Sequence, residues 1–166
     1  MADQKQDFGI VAFAFGTPAT AAPNVRIASI AARLARKYSK PIFTQDEVQF
    51  EKGSDLDVTR IEGEEVPTLR IARAAVAWAV ERKLHHLWVV CAKPHWVRCE
   101  RDLKEAAAEA GVKLSIFLSP EIEASSRREW FDPNSTQKRV RSTKAWLPRE
   151  VLLCVMPFWL YKRLAS

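Results

Sequence analysis

Short apolar runs alternate with amphipathic stretches along most of the chain, and this alternation restricts the choice of folds more than any other feature. The first run, from Phe8 to Phe15, is almost continuously apolar, as expected of a strand buried on both faces. Between the runs, apolar residues recur at helical intervals. The pattern predicts a Rossmann-like three-layer α/β sandwich, in which a mostly parallel sheet of about five strands has helices on both faces. The predicted strands cover residues 8–15, 40–44, 58–62, 87–90 and 113–118.

Length and charge narrow the class of protein. With 166 residues, 48% of them hydrophobic, the chain fits one folded α/β domain spanning 1–166 and does not fit a disordered protein. Its net charge of +6 favours anionic partners. The charge is uneven, because residues 45–65 form a predicted acidic loop in which Lys52 and Arg60 are the basic residues. The acids of this loop are Asp46, Glu47, Glu51, Asp55, Asp57, Glu62, Glu64 and Glu65.

The sequence also predicts a compartment. The three cysteines contain no C-x-x-C pair and suit a reducing environment. The polar start M-A-D-Q-K-Q-D lacks the regions of a signal peptide. The apolar run from Val151 to Tyr161 contains a proline and is too short to span a bilayer. We therefore expect a cytoplasmic protein without a transmembrane segment.

The stretch from His86 to Gly111 predicts the position of a binding site. An apolar strand stops near Cys91, a Pro-His-Trp turn follows, and a helix carrying Arg98 begins. In open parallel sheets, ligands bind where the carboxyl ends of strands meet helix N-termini. Backbone N–H groups near His95 and the Arg98 guanidinium would suit a phosphate or carboxylate. The predicted ligand-binding residues are Gly16, Thr17, Arg26, Thr68, His95 and Arg98.

Two observations limit this interpretation of the binding site. Arg98 and Arg101 could instead lie on a solvated helix face, as most helical arginines do. The chain also has no G-x-G-x-x-G or Walker-type loop, so the usual dinucleotide and nucleoside triphosphate fingerprints are absent from the sequence. No cofactor is identified from the sequence.

Several segments match the layout of a known family. The first strand ends in a glycine loop at Gly16, an arginine enters the first helix at Arg26, and Thr68 stands at a helix start. Two further segments contribute, V-V-C-A-K-P-H-W-V-R-C-E-R with His95 and Arg98, and W-L-P-R-E-V-L-L with Trp146, Arg149 and Glu150. In these segments, which extend over nearly the whole chain, the protein resembles a divergent member of the YdcF-like family of α/β domains, the relatives of SanA and ElyC.

The resemblance implies a Rossmann-like fold and a nucleotide-like or phosphate-bearing ligand, with envelope-related roles in some bacterial relatives. The chain departs from the family pattern at two places. The family's Ser-Gly-Gly after the second strand is replaced by Thr44-Gln45-Asp46, and its Glu-Asn at the helix start is replaced by Arg70-Ile71. Any family activity that depends on those two motifs is therefore not expected here.

Other candidate groups have weaker sequence support. Cys91, His95 and Cys99 are spaced as zinc ligands would be on one helix, but Pro94 interrupts that helix, so no metal site is predicted. Cys91 as a nucleophile remains an alternative, although a buried core thiol is favoured. Asp46 and Glu47 follow a strand and could hold Mg²⁺ or act as a base, or simply lie in a solvated loop.

The last third of the chain is basic and then apolar. The segment K-R-V-R-S-T-K from Lys138 to Lys144 lies between Trp130 and Trp146 and is typical of polyanion-binding surfaces, although no nucleic-acid motif surrounds it. A C-terminal helix is predicted at 147–164, bent at Pro157. Packing on the domain is favoured for this helix, while a homodimer contact and a membrane surface remain alternatives.

The sequence therefore predicts a protein that binds a small anionic ligand, nucleotide-like or phosphorylated, at the carboxyl ends of the strands. His95 is the candidate catalytic residue, and hydrolase or transferase activity on a phosphate ester is left open. The alternative is a non-catalytic binding or scaffold protein that uses its basic C-terminal region on nucleic acid or another anionic surface.

Overall fold

A five-stranded parallel sheet forms the centre of the molecule, in a computed structural model that describes residues 7–63 and 66–165. The strand order is β3-β2-β1-β4-β5, which places β1 in the middle with a parallel neighbour on each side. The predicted fold class is confirmed. The strands are β1 (Phe8–Ala12), β2 (Ile42–Gln45), β3 (Val58–Ile61), β4 (His86–Val90) and β5 (Ser115–Leu118).

Helices cover both faces of the sheet because the side chains of β1 alternate between two hydrophobic layers. Ile10 and Ala12 pack in the layer that contains α1 (Ala22–Tyr38). Val11 packs in the opposite layer, which contains α2 (Thr68–Glu81) and α3 (Trp96–Glu109). Gly111 follows α3 with a φ of 67°, the left-handed conformation that ends the helix.

The C-terminal region differs from its prediction. A short helix, α4 (Pro120–Glu123), and two 3₁₀ turns precede α5 (Thr143–Val155) and α6 (Phe158–Ala165). The single bent helix predicted at 147–164 is therefore two helices. The chain separates them at Met156 and Pro157, and the Pro157 carbonyl accepts the first hydrogen bonds of α6. None of the described helices has the length and apolar character needed to cross a bilayer.

The acidic segment contains the strand predicted at 58–62 as well as loop structure. Of residues 45–65, Gln45 ends β2 and residues 58–61 form β3, while Glu64 and Glu65 lie outside the described residues. The exposed Asp57 carboxylate accepts two hydrogen bonds from the Arg82 guanidinium, at 2.6 and 3.1 Å. The segment therefore supplies an edge strand and surface ion pairs.

Polar side chains of α3 fasten the C-terminal helices to the domain. Arg98 Nε donates to Glu150 Oε1 at 3.2 Å, and Arg101 Nη1 donates to the Leu153 carbonyl at 2.7 Å. The two arginine side chains are only 12% and 22% exposed. The alternative interpretation, in which these arginines lie on a solvated face, is therefore wrong. The Tyr161 hydroxyl of α6 completes the attachment by donating to the buried Asp102 carboxylate at 2.5 Å.

A second attachment lies at the far end of α3. The Glu109 carboxylate accepts hydrogen bonds from the Arg73 guanidinium of α2, at 2.8 and 3.2 Å, and forms an ion pair with Lys162 of α6. Hydrogen bonds from these two cations lower the pKa of Glu109 from 4.5 to about 2. The ionised Glu109 carboxylate therefore connects α2, α3 and α6.

The depressed pKa of Glu109 predicts how stability changes in acid. Because the carboxyl binds its proton more weakly in the folded chain than in the unfolded chain, its stabilising contribution is present above about pH 4.5 and is lost towards about pH 2. We expect Glu109→Gln to be less stable than wild type at pH 7, with the difference shrinking over that interval. Urea unfolding of both proteins at several pH values measures this difference in the free energy of unfolding. A difference that does not change with pH would contradict the depressed pKa of Glu109.

Candidate functional site

A cavity of about 490 Å³ opens at the carboxyl ends of the central strands. The loop after β1, the end of β2 and the start of α2 form one side of it, and the turn at His95 adjoins them. The chain from Gln137 to Leu164, folded back over the sheet, forms the other side. The cavity therefore lies where ligands bind in parallel α/β folds, but the C-terminal segment covers part of it.

Asn24 holds the loop after β1 in place. Its buried side chain donates from Nδ2 to the carbonyls of Gly16 and Pro18, at 2.9 and 3.1 Å, and accepts from the Phe15 N–H at 2.8 Å. Asn24 was not among the predicted site residues. An asparagine between a glycine loop and a buried helix face is a signal for such a loop-fixing role, because its side chain can satisfy both N–H and carbonyl groups.

Gly16 and Thr17 are engaged with the C-terminal segment. Gly16 has a φ of 84°, and a Cβ at this position would stand 2.4 Å from Val140 Cγ2. The Thr17 hydroxyl hydrogen-bonds the Thr136 hydroxyl at 2.7 Å, and the Thr17 carbonyl accepts from the Ser135 hydroxyl at 2.7 Å. Part of the space beside the glycine loop is thus occupied by the C-terminal segment, while Gly16 and Thr17 still line the cavity.

His95 lies at the base of the cavity, nearly without solvent exposure. Its Nε2 is in hydrogen-bonding contact with Thr68 Oγ1 at 3.3 Å, and its Nδ1 is buried without a hydrogen-bond partner among the described residues. The rings of Phe15 and Trp146 lie 6.0 and 5.7 Å from its ring. Burial, with the charges of Arg98 and Arg139, holds the pKa of His95 well below 6.5. The imidazole is therefore neutral at pH 7, with one nitrogen available for a further hydrogen bond.

The ion pair between Arg98 and Glu150 forms part of the cavity wall. The Arg98 guanidinium also lies over the Trp146 ring, with its Cζ 5.5 Å from the ring centroid. Burial raises the pKa of Glu150 while the charge of Arg98 acts in the opposite direction. Because its guanidinium already has a carboxylate partner, Arg98 offers less positive charge to a ligand than its sequence position suggested.

Five of the six predicted ligand-binding residues line the cavity. Gly16, Thr17, Thr68, His95 and Arg98 come together there, although they are up to 82 positions apart in the chain. Arg26 does not line it. Its Nη1 donates to Glu129 Oε2 at 3.0 Å, and its guanidinium stacks on the buried Trp130 ring, 4.4 Å from the centroid. These contacts occupy Arg26 on the outer side of α1.

Other polar residues of the cavity were not among the predicted ligand-binding residues. Arg139 and Arg149 line it from the C-terminal side. Gln45 and Glu47 line it from β2 and are joined by a 2.8 Å hydrogen bond from Gln45 Nε2 to Glu47 Oε2. Only the charge of the 138–144 segment and the W-L-P-R-E segment offered a sequence signal for the two arginines.

Cys91 and Cys99 lie in the core of the domain rather than at the cavity. Cys91 and Cys99 are completely buried in the apolar layer beneath α2 and α3, and burial raises the pKa of Cys99 well above its usual value. In the described part of the chain, no three His, Cys, Asp or Glu side chains are grouped so that they could hold a metal ion. The alternative of Cys91 as a nucleophile lacks the access that a substrate needs.

The buried, neutral His95 predicts a pH dependence of stability. Because the unfolded chain binds a proton to this histidine near pH 6.5 while the folded chain does not, the free energy of unfolding should fall as the pH drops below that value. The slope for one proton is at most about 1.4 kcal/mol per pH unit. We expect His95→Gln to reduce the slope, measured by urea unfolding between pH 7.5 and 5. An equal slope in both proteins would show that His95 is not the group responsible.

Comparison of the chain with protein-family models, with curated proteins and with solved structures gives no significant match, so the resemblance to the YdcF-like family stays a prediction.

Proposed function

We propose that the protein binds a small organic anion, nucleotide-like or phosphorylated, in the cavity at the carboxyl ends of its strands. The observation that supports the proposal is the cavity lining, in which Arg139, Arg149 and the Glu150-paired Arg98 outnumber the single lining carboxylate, Glu47. A neutral histidine and several aromatic and aliphatic side chains complete the lining of about 490 Å³. A pocket of this size and mixed character suits one small ligand with a charged end and an apolar body.

Arg149 and Arg139 are the residues that receive the anionic group in this proposal. Arg149 is exposed and has no ion-pair or hydrogen-bond partner among the described residues, so its guanidinium retains its donors for a ligand. Arg139 lies close enough to His95 for its charge to depress the histidine pKa. An anion between the two would gain charge-assisted hydrogen bonds, which are the stronger kind.

The apolar part of the ligand is accommodated deeper in the cavity. Phe15 and Trp146 lie 4.7 Å apart between ring centroids and present an aromatic wall, to which Met156 adds aliphatic surface. A planar ring stacked there would come near His95, whose neutral imidazole suits a hydrogen bond to an uncharged polar group. The proposed ligand is thus amphiphilic, with its anionic group towards the mouth.

The proposal predicts a charge-dependent loss of affinity. We expect nucleoside monophosphates or sugar phosphates to raise the melting temperature of the wild-type chain. In Arg149→Gln, the affinity should fall by about tenfold or more, because a charge-assisted hydrogen bond is lost. Titration calorimetry with the compound that gives the largest thermal shift measures the dissociation constants of the wild-type and Arg149→Gln proteins.

Arg127→Gln is the matched control, because Arg127 is an exposed arginine outside the cavity lining. Its affinity should equal that of wild type. The absence of any thermal shift with millimolar nucleotides, sugar phosphates or inorganic phosphate would overturn the proposal. So would an equal loss of affinity in Arg127→Gln and Arg149→Gln, since the effect would then follow net charge alone.

Hydrolysis or transfer at a phosphate ester is a second candidate function. The contact between Thr68 Oγ1 and His95 Nε2 favours it, because a neutral imidazole can accept the proton of a hydroxyl nucleophile. If turnover of a bound phosphate ester occurs by this route, Thr68→Val should abolish product formation, followed by chromatography, while the ligand's dissociation constant changes little. Turnover that persists in Thr68→Val would exclude this route.

A further inference from the structure

The outer side of α5 is apolar although it faces solvent. Leu147, Val151 and Val155 recur every four residues on one side of the helix, and Leu152 lies beside them. These side chains are between 49% and 72% exposed, and they are called the C-terminal apolar face here. The opposite side of α5 packs inward through Trp146 and Glu150. A helix that is apolar on both sides is expected to be covered on both sides.

The surroundings of this face are strongly basic. Residues 138–165 contain a single acid, Glu150, which is buried and paired with Arg98. The same segment contains seven basic residues, so its net charge of +6 equals that of the whole chain. The basic residues are Lys138, Arg139, Arg141, Lys144, Arg149, Lys162 and Arg163.

An exposed indole lies on the neighbouring helix. Trp159 of α6 is 63% exposed, and the Arg163 guanidinium lies over its ring with Cζ 5.7 Å from the centroid. Tryptophan and arginine are favoured at the boundary between lipid headgroups and acyl chains, where an apolar body and a polar tip are both accommodated.

The charge and the apolar surface together select among the occupants of this face. A second copy of the chain would place one +6 segment against another and would be repelled. Nucleic acid would complement the charge, but its phosphates and base edges offer little to exposed Leu and Val side chains. An anionic bilayer complements both, because its headgroups attract the cations and its acyl boundary buries the aliphatic side chains.

We propose that α5 and α6 dock the protein on the surface of an anionic lipid bilayer, with the C-terminal apolar face inserted at the headgroup boundary. The inference is independent of the proposed ligand. Neither helix is long enough to span the bilayer, so the attachment is peripheral and reversible. Its strength depends on both the basic residues and the apolar face.

Co-sedimentation with lipid vesicles tests the proposal on the full chain. We expect binding to vesicles of phosphatidylcholine mixed with phosphatidylserine, weakened by salt, and little binding to phosphatidylcholine alone. Val155→Gln should weaken binding by at least about fivefold, since it places a polar amide at the apolar boundary. Lys138→Gln combined with Lys144→Gln should weaken it by at least about tenfold.

Each variant has a control with the same number and type of substitutions at exposed positions elsewhere in the chain. Val80→Gln alters an exposed valine near the end of α2, and the pair Lys52→Gln and Lys113→Gln removes two exposed charges away from the C-terminal region. Urea midpoints of all four variants are compared first, so that weaker vesicle binding is not mistaken for partial unfolding. The controls should leave vesicle binding unchanged.

Three results would overturn the proposal. One is the absence of binding to anionic vesicles, or equal binding to neutral ones. Another is binding to DNA or RNA that is tighter than binding to vesicles and is unchanged in Val155→Gln. This result would identify the region as a polyanion-binding surface. The third is a dimer, seen by analytical ultracentrifugation and dissolved by Val155→Gln, which would show that a second copy covers the face.

Discussion

The attachment of the C-terminal helices to α3 is the interaction on which the candidate site depends. Arg98, Arg101 and Asp102 lie on one side of α3 and meet Glu150, the Leu153 carbonyl and Tyr161. Each of these groups is largely withdrawn from water, and removing one partner would leave another charge or dipole buried without compensation. Because the hydrogen bonds of this network form only when α5 and α6 are in place, the network fixes the position of the cavity wall that these two helices supply.

This arrangement gives the C-terminal segment two tasks. Its inner side supplies Trp146, Arg149 and Met156 to the cavity, while its outer side presents the aliphatic residues of α5. Leu152 belongs to both, since it lines the cavity and is 57% exposed. The rim of the cavity and the exposed face are therefore adjacent parts of the same helix.

Sequence reasoning succeeded where structure is periodic and local. The fold class followed from apolar runs such as Phe8–Ala12, because a strand covered on both faces is apolar at nearly every position. The convergence of Gly16, Thr68 and His95 followed from the rule that parallel strands end at one edge. Both inferences need only the order of elements along the chain.

The rest depended on contacts between distant parts of the chain. The partner of Arg98 lies 52 positions away in the chain, and that of Arg26 lies 103 positions away. No local sequence pattern therefore showed that Arg98 would pair with a carboxylate or that Arg26 would lie outside the cavity. Residues 125–142 are mainly irregular, with brief 3₁₀ turns, and carry no periodic signal of where they fold. Arg139, which lies in this stretch, could therefore not be assigned to the cavity from the sequence.

The break between α5 and α6 at Pro157 divides the C-terminal segment into two separately attached helices. Arg98 and Arg101 of α3 hold α5, whereas Asp102 and Glu109 of α3 hold α6. Each helix therefore has its own polar contacts with α3, and a substitution that removes the contacts of one helix leaves those of the other in place.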